Sequence, residues 1–307
     1  MDKDSKILIA GQSTMEGSSL KKYLVLSGFN NILSLEDNDL RSHSRVHKFF
    51  QANKPEYIFV VDGKSGGIKA NQEMPASLMI DNLRIITNLI SISHEFKVTK
   101  LLFVASSCSY PKNCSQPMQP SMLMQGPLEE TNSAYATAKL AGIELCSAYK
   151  KQYGDNFISV IPANIYGPGD DFSSDNAHVI SSLIQRIQKA KLQSDPTVSI
   201  WGSGSPKREF IYLDDFSMAL RFIMTNYNEI LPLNLGSNEV ISIKELSMLI
   251  KKVVGYTGDL EFDPTKPDGM KEKSLDSSIL KLMGFTPSFE LEEGIKNTYN
   301  WYLGEEL

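Results

Sequence analysis

At 307 residues, 41% hydrophobic and 22% charged, the chain can build one large domain or two modest ones around a substantial core. A formal net charge of −5 without a long basic run argues against nucleic acid or a membrane surface as partner. Three widely spaced cysteines make neither a disulfide framework nor a zinc pattern, so no metal is expected and a reducing, cytoplasmic setting is. The polar start M-D-K-D-S-K has no secretory h-region, and no apolar run approaches spanning length.

Five apolar runs predict strands: K-I-L-I-A (6–10), N-I-L-S-L (31–35), Y-I-F-V-V (57–61), K-L-L-F-V-A (100–105) and F-I-S-V-I-P (157–162). They are apolar at successive positions, as parallel strands buried on both faces are. Helix-length stretches near 15–27, 44–53, 76–96 and 134–153 lie between them. In the last, Leu140, Ala141, Leu145 and Ala148 recur at helical spacing. The repeated order predicts an α/β fold with a doubly wound parallel, Rossmann-type sheet. After about residue 165, Gly, Pro, Asp and Ser become dense, and helical patterns at 178–192, 242–254 and 289–303 predict a smaller, loop-rich C-terminal substrate domain. Segment 209–237 is expected to return to the first sheet. The dinucleotide-binding domain is then 1–165 plus about 209–237, and the second is 166–208 plus 238–307.

The first strand runs into G-Q-S-T-M-E-G, residues 11–17. Gly11 and Gly17 bracket a strand-to-helix turn, the place where backbone N–H groups and a helix N-terminus cradle a pyrophosphate. Thr14 stands where a middle glycine is common, and the Glu16 carboxylate would repel a pyrophosphate unless it points away. Alone, the motif is as readily an ordinary turn. Glu36 and Asp37 end the second strand, where an acid can hold the adenosine ribose of NAD. A solvated loop would read the same way.

S-A-Y-A-T-A-K, residues 133–139, lies in a helical stretch and puts Tyr135 and Lys139 on one helix face. The ammonium is expected to lower the phenol's pKa, readying Tyr135 to exchange a proton with a sugar oxygen during hydride transfer. Upstream, S-S-C-S-Y-P-K (106–112) leaves the fourth strand. Ser106 and Cys108, two apart in extended chain, would point together into the crevice at the sheet's C-terminal edge. Cys108 alone could equally be a small packing residue. His178, opening H-V-I-S-S-L-I, would ordinarily be a cap or surface residue, Arg186 a solvated face and Trp201 core.

Taken in order, S-S-C-S-Y-P-K, L-E-E-T-N-S-A-Y-A-T-A-K-L-A-G-I-E-L-C, P-A-N-I-Y-G-P, A-H-V-I, W-G-S-G-S-P-K-R-E-F-I-Y-L-D-D and K-P-D-G span nearly the whole chain. The sequence thereby resembles the GDP-L-fucose synthase family, bifunctional epimerase-reductases among the extended short-chain dehydrogenases/reductases. The resemblance implies epimerisation of a GDP-linked 4-keto-6-deoxy-hexose at C3 and C5, reduction at C4 with NADP(H), and a cytoplasmic homodimer packed through helices such as 76–96 and 134–153. It implies Ser106, Tyr135 and Lys139 as the reductase triad, and Cys108 and His178 as the acid/base pair. Arg186, Trp201 and Arg208 match positions that hold the nucleotide diphosphate-sugar, with Lys273 joining them. The residues expected to line the cofactor, from the turn, the second strand end and the resemblance together, are Gly11, Ser13, Thr14, Met15, Glu16, Gly17, Glu36, Lys64, Val104, Ala105, Ser106, Tyr135, Lys139, Pro162, Asn164, Ile165 and His178. Cys114 and Cys146 are read as structural.

The adenosine end departs from the family pattern. Its turn usually reads G-x-x-G-M-x-G with an arginine beside the middle glycine, where this chain has Ser13, Thr14 and Glu16. After the second strand it usually carries arginine, where this chain has Leu33, Leu35 and Glu36, and V-D-G-K-S-G-G-I (61–68) adds Asp62. NAD(H) therefore stays open beside NADP(H). So do two other functions: an epimerase or reductase of another GDP-4-keto sugar (a deoxy-heptose or dideoxy sugar), and a non-catalytic nucleotide-sugar-binding relative.

Overall fold

The computed structural model describes residues 1–304 other than 36–39, 62, 64–67, 173–176 and 267. Its first half runs β1 (Ile7–Ala10), α1 (Met15–Leu26), β2 (Ile32–Leu33), α2 (His43–Asn53), β3 (Tyr57–Val60), α3 (Ile68–Glu73), α4 (Pro75–Glu95), β4 (Lys100–Val104), α5 (Ser133–Tyr153) and β5 (Phe157–Pro162). Its second half runs β6 (Asn164–Tyr166), α6 (Val179–Gln193), β7 (Thr197–Trp201), β8 (Lys207–Tyr212), α7 (Leu213–Asn226), β9 (Leu233–Leu235), β10 (Val240–Ser242), α8 (Ile243–Val254), β11 (Asp259–Asp263), β12 (Glu272–Lys273), α9 (Ser278–Leu282) and α10 (Leu291–Tyr302). Among the described residues no helix is long and apolar enough to cross a membrane.

Six parallel strands form the main sheet in the order β2-β1-β3-β4-β5-β9. Every residue of β1, β4 and β5 is buried, as their unbroken apolar runs predict for strands covered on both faces. Right-handed crossovers put α4 and α5 together on one face, while α1 packs with α7 on the other. Local chemistry sets the helix ends. Pro75 opens α4, and Gly154 ends α5 in the left-handed conformation. Strand order reverses between β1 and β3, so their C-terminal ends form the crevice where open α/β sheets bind ligands.

A second core gathers Ile180, Leu183, Ile184 and Ile187 of α6, Leu246, Ile250 and Val254 of α8, and Ile295 and Tyr299 of α10. Against it lie a sheet of β10-β8-β12 with β6 also on β8, and the parallel pair β7 and β11. Segment 209–237 divides differently from expectation. Its first strand, β8, pairs with β6 rather than joining the main sheet; only β9 does so. The reason is period-two alternation. Phe210 and Tyr212 enter the second core, while Ile211 and Leu213 enter the first, so β8 lies between the two.

Candidate active site

The turn 11–17 is built for close approach of backbone. Gly11 has φ +96°, a left-handed conformation that favours glycine. A Cβ on Gly17 would sit 2.0 Å from the Gly11 carbonyl oxygen, so α1 leaves the turn with no room for a side chain there. Thr14 needs no such freedom. It is extended (φ −72°, ψ 162°) and caps α1, accepting from Gly17 N–H at 3.1 Å and donating to Gly11 O at 2.8 Å. The threonine thus replaces a glycine with a capping hydroxyl and leaves the turn's shape intact. This glycine cradle at a helix N-terminus fits a dinucleotide pyrophosphate. Glu16, in the first turn of α1, lines the cavity beside Tyr135 and His178.

That cavity, about 470 Å³, opens at the C-terminal edge of the main sheet. Thr14, Met15, Glu16, Val104, Ala105, Ser106, Cys108, Tyr135, Lys139, Pro162, Asn164, Ile165, His178 and Lys273 line it. Ser13 is exposed on the turn beside it. Glu36, Asp37, Asp62 and Lys64 lie outside the described residues. Arg186, Trp201 and Arg208 are not brought into the cavity wall. Arg186 donates to Ser199 O from α6, and Arg208 donates at 2.7 Å to Lys207 O and to Met270 O. Trp201, which by residue type alone would read as core, is 67% exposed at the end of β7. Among the described residues no cluster of His, Cys, Asp and Glu could hold a metal ion.

Cys108 reaches the cavity differently from the extended reading. Ser106 is extended, but Ser107–Ser109 form a 3-10 turn, and the Ser106 hydroxyl accepts from Cys108 N–H at 3.2 Å. The turn, rather than strand alternation, brings the pair to one cavity. Asn132 Nδ2 donates to Cys108 Sγ at 3.2 Å, and Lys273 Nζ at 3.4 Å. Burial pushes the thiol up. The Lys273 charge and hydrogen bonds with Ser106, Lys273 and Asn132 outweigh that, leaving it below the ordinary thiol value. Cys146, in the main core without such partners, is pushed by burial up to about 12, with Ser159 opposing. Cys114 donates to Met122 Sδ at 3.2 Å and burial raises it too.

Tyr135 and Lys139 share one face of α5. Lys139 is buried and donates to Val104 O at 3.1 Å, with its Nζ 6.0 Å from the Tyr135 ring centroid. The expected depression of the phenol pKa is reversed. Burial dominates and raises it, the charges of Cys108 and Glu16 add to that, and Ser106 opposes. Tyr135 is therefore held protonated, ready to donate.

Beyond β6, His178 stands at the N-cap of α6, its Nδ1 3.1 Å from Asp170 Oδ1. Asp170 also accepts from the Ser181 hydroxyl, and its side chain is 6% exposed. The hydrogen bond to Asp170 raises the imidazole pKa; burial opposes it, and the charges of Asp170, Glu16 and Asp171 reinforce it. Seven further residues reach the cavity that the sequence reading missed: Val61, Gly63, Asn71, Ser107, Asn132, Ala163 and Asp170. A Cβ on Gly63 would lie 2.6 Å from Lys139 Nζ, so any side chain there would displace the ammonium. Asn132 directly precedes S-A-Y, and Asp170 closes Y-G-P-G-D, but neither carries a signal of its own.

A tyrosine and a lysine on one face of the helix after the fourth strand, lining a cavity beside a glycine turn, form the arrangement of a dinucleotide-dependent oxidoreductase or epimerase. The chain belongs to the NAD dependent epimerase/dehydratase family, whose model matches residues 7–236. Among curated proteins it is 44% identical over 305 residues to putative GDP-L-fucose synthase 2 of Arabidopsis thaliana, covering 99% of this chain and 93% of that one. Among solved structures it resembles a GDP-6-OMe-4-keto-L-xylo-heptose reductase from C. jejuni, with TM-score 0.94, 31% identity and 99% coverage of both chains. The GDP-mannoheptose C4 reductase of Campylobacter jejuni with NADP bound matches with TM-score 0.91, 31% identity and 99% coverage of both chains.

Proposed function

We propose that this chain is a bifunctional enzyme that epimerises a GDP-linked 4-keto-6-deoxy-hexose at C3 and C5 and reduces it at C4, giving GDP-L-fucose or a close relative. The observation that carries this reading is one cavity lined by Cys108, His178, Ser106 and Tyr135. Protons on carbons flanking a ketone are acidic because the resulting enolate is delocalised. The Cys108 thiolate takes such a proton, and the C–H electrons pass to the enolate oxygen. Ser106 and Tyr135 hydrogen-bond that oxygen. The His178 imidazolium returns a proton to the carbon's other face, completing inversion. A bound dihydronicotinamide supplies hydride for the reduction. Tyr135 gives its proton to the C4 oxygen, while Lys139 keeps positive charge beside it.

Gly11, Thr14 and Gly17 would hold the dinucleotide's pyrophosphate; Met15, Val104, Ala105, Pro162, Asn164 and Ile165 would line its nicotinamide half. NADPH is our assignment for the donor, supported by the NADP in the Campylobacter relative. Arg186, Trp201 and Arg208 would hold the GDP moiety, the arginines by bidentate bonds to phosphate and the exposed indole by stacking. The heptose reductase likeness favours a second reading, a GDP-linked keto-heptose as substrate. One experiment separates them. Purified protein is given GDP-4-keto-6-deoxy-mannose with NADPH or NADH in D2O, and the product is analysed. The first reading expects nicotinamide oxidation and deuterium at both C3 and C5. Turnover with a GDP-keto-heptose alone supports the second. Failure to bind either nicotinamide overturns both.

A further inference from the structure

We propose that Lys273 is a positioning residue that holds Cys108 as a thiolate, rather than a ligand of the substrate diphosphate. The proposal deepens the function above and rests on it for the role of Cys108.

Lys273 reaches the thiol from a strand 165 residues away in sequence. β12 lies parallel to β8, with Lys273 opposite Arg208, and its neighbours are tied down on both sides. Lys207 N donates to Lys271 O at 2.9 Å, Ser274 N to Gln116 Oε1 at 2.8 Å and Leu275 N to Glu209 Oε2 at 2.7 Å. Met118 N donates to Ser274 O at 2.9 Å, and Asp276 N returns a bond of 2.9 Å to Met118 O. Ser274, Leu275 and Met118 are all buried. A flexible lysine stem therefore starts from a fixed backbone, and its ammonium ends 3.4 Å from Sγ.

The surroundings call for that charge. Cys108 is half-buried, so a thiolate there needs a cation to offset lost hydration. Tyr135 faces it from α5, Asn132 from the segment before α5, and Ser106 from its own turn. His178, Asp170 and Glu16 lie among the other groups lining the same cavity. The lysines nearest in sequence are engaged elsewhere, Lys112 with Glu129 at 3.5 Å and Lys100 with Tyr227 O at 2.6 Å, while Lys139, in the same cavity, donates to Val104 O. During proton abstraction Lys273 keeps its own protons. The thiolate forms the new S–H bond, the C–H bond breaks, and its electron pair goes to the enolate. Because β12 also pairs with the Arg208 strand, the thiol is activated from the same sheet that carries a candidate diphosphate arginine.

The test needs no substrate, so it stands apart from the identity of the sugar. Full-length Lys273→Met, Lys273→Gln and Lys273→Arg are compared with wild type by iodoacetamide alkylation across pH, with Cys108 resolved by peptide mass. Opposite-charge partners of this kind shift thiol titration enough that both neutral variants should alkylate about tenfold slower at neutral pH, with the midpoint moved upward. The arginine variant should stay within about threefold of wild type, since it restores the charge. Unchanged alkylation in a neutral variant, or a loss in Lys273→Arg as large as in Lys273→Met, would overturn the proposal. A lysine serving the diphosphate would give unchanged alkylation with a raised KM.

Discussion

The wall of the cavity that carries Cys108 and the wall that carries His178 are charged in opposite senses. Cys108 meets an ammonium and an amide donor, from Lys273 and Asn132. His178 meets the Asp170 carboxylate, with Glu16 and Asp171 acting at longer range. Burial opposes charge on both walls, yet the partners win on both: the thiol titrates lower than usual and the imidazole higher. Groups pushed toward opposite protonation states in one site assign themselves as base and acid. Under the proposed function, the thiol whose charged form is favoured would take the proton, and the imidazole whose charged form is favoured would give one. Tyr135, protonated by burial, serves the oxygen.

The hardest blow to this contrast is to remove the base. A serine hydroxyl at position 108 stays protonated even beside an ammonium. Cys108→Ser should cut deuterium incorporation from D2O by about 10³-fold, within the usual range for losing a general base. Tyr135→Phe, its counterpart, should cut nicotinamide oxidation by about 10²- to 10³-fold while incorporation persists. Product mass and absorbance at the nicotinamide band read the two half-reactions separately. Normal exchange at both carbons in Cys108→Ser would end the base assignment.

A smaller effect is expected on the other wall. Asp170→Asn keeps the shape but removes the charge that raises the His178 pKa. An acid must be protonated to act, so activity falls as pH rises through the imidazole's folded pKa. Without the carboxylate that fall should begin at lower pH, costing about tenfold in proton delivery on the alkaline side of neutrality and little at pH 6. The same contact stabilises the fold below the ordinary imidazole pKa and fades as pH rises through the raised value, so thermal stability should lose its matching pH dependence. A pH profile that does not move would leave Asp170 a mere cap of the loop.

How much of this was legible in sequence follows the distance over which each interaction acts. The parallel sheet could be read from unbroken apolar runs, and the Tyr135–Lys139 pair from helical spacing. Those features are local. Lys273 on Cys108 and Asp170 on His178 are not, since tertiary packing decides which charge meets which group. Local rules also failed where a second one competed. Alternation aimed Ser106 and Cys108 together, but a serine-capped turn did the aiming. Glycine counting faulted Thr14, but its hydroxyl caps the helix. Charge proximity predicted a depressed Tyr135, but burial outweighed it. Segment 209–237 was expected in the main sheet as a whole, but β8 alternates between two cores, and which core each face meets is decided by packing rather than by the local pattern.

The smallest effect sharpens the contrast most, because the turn that carries an arginine in the family pattern carries the Glu16 carboxylate in this chain. Its carboxylate sits in the first turn of α1, where a helix dipole favours it by about 0.3–1 kcal/mol whatever else it does. A merely structural Glu16 would change stability alone when neutralised. A carboxylate facing the pyrophosphate would instead repel it, so Glu16→Gln would tighten dinucleotide binding. Its place in the cavity, acting on both His178 and Tyr135, predicts a third pattern. Dinucleotide affinity should hold steady. Proton delivery should weaken by about two- to fivefold on the alkaline side, as expected for a partly screened charge. The pH midpoint should move the same way as in Asp170→Asn but less far. Nicotinamide titration beside the pH profile distinguishes the three. Tighter dinucleotide binding with an unmoved profile would place the carboxylate at the phosphates and leave the His178 wall to Asp170.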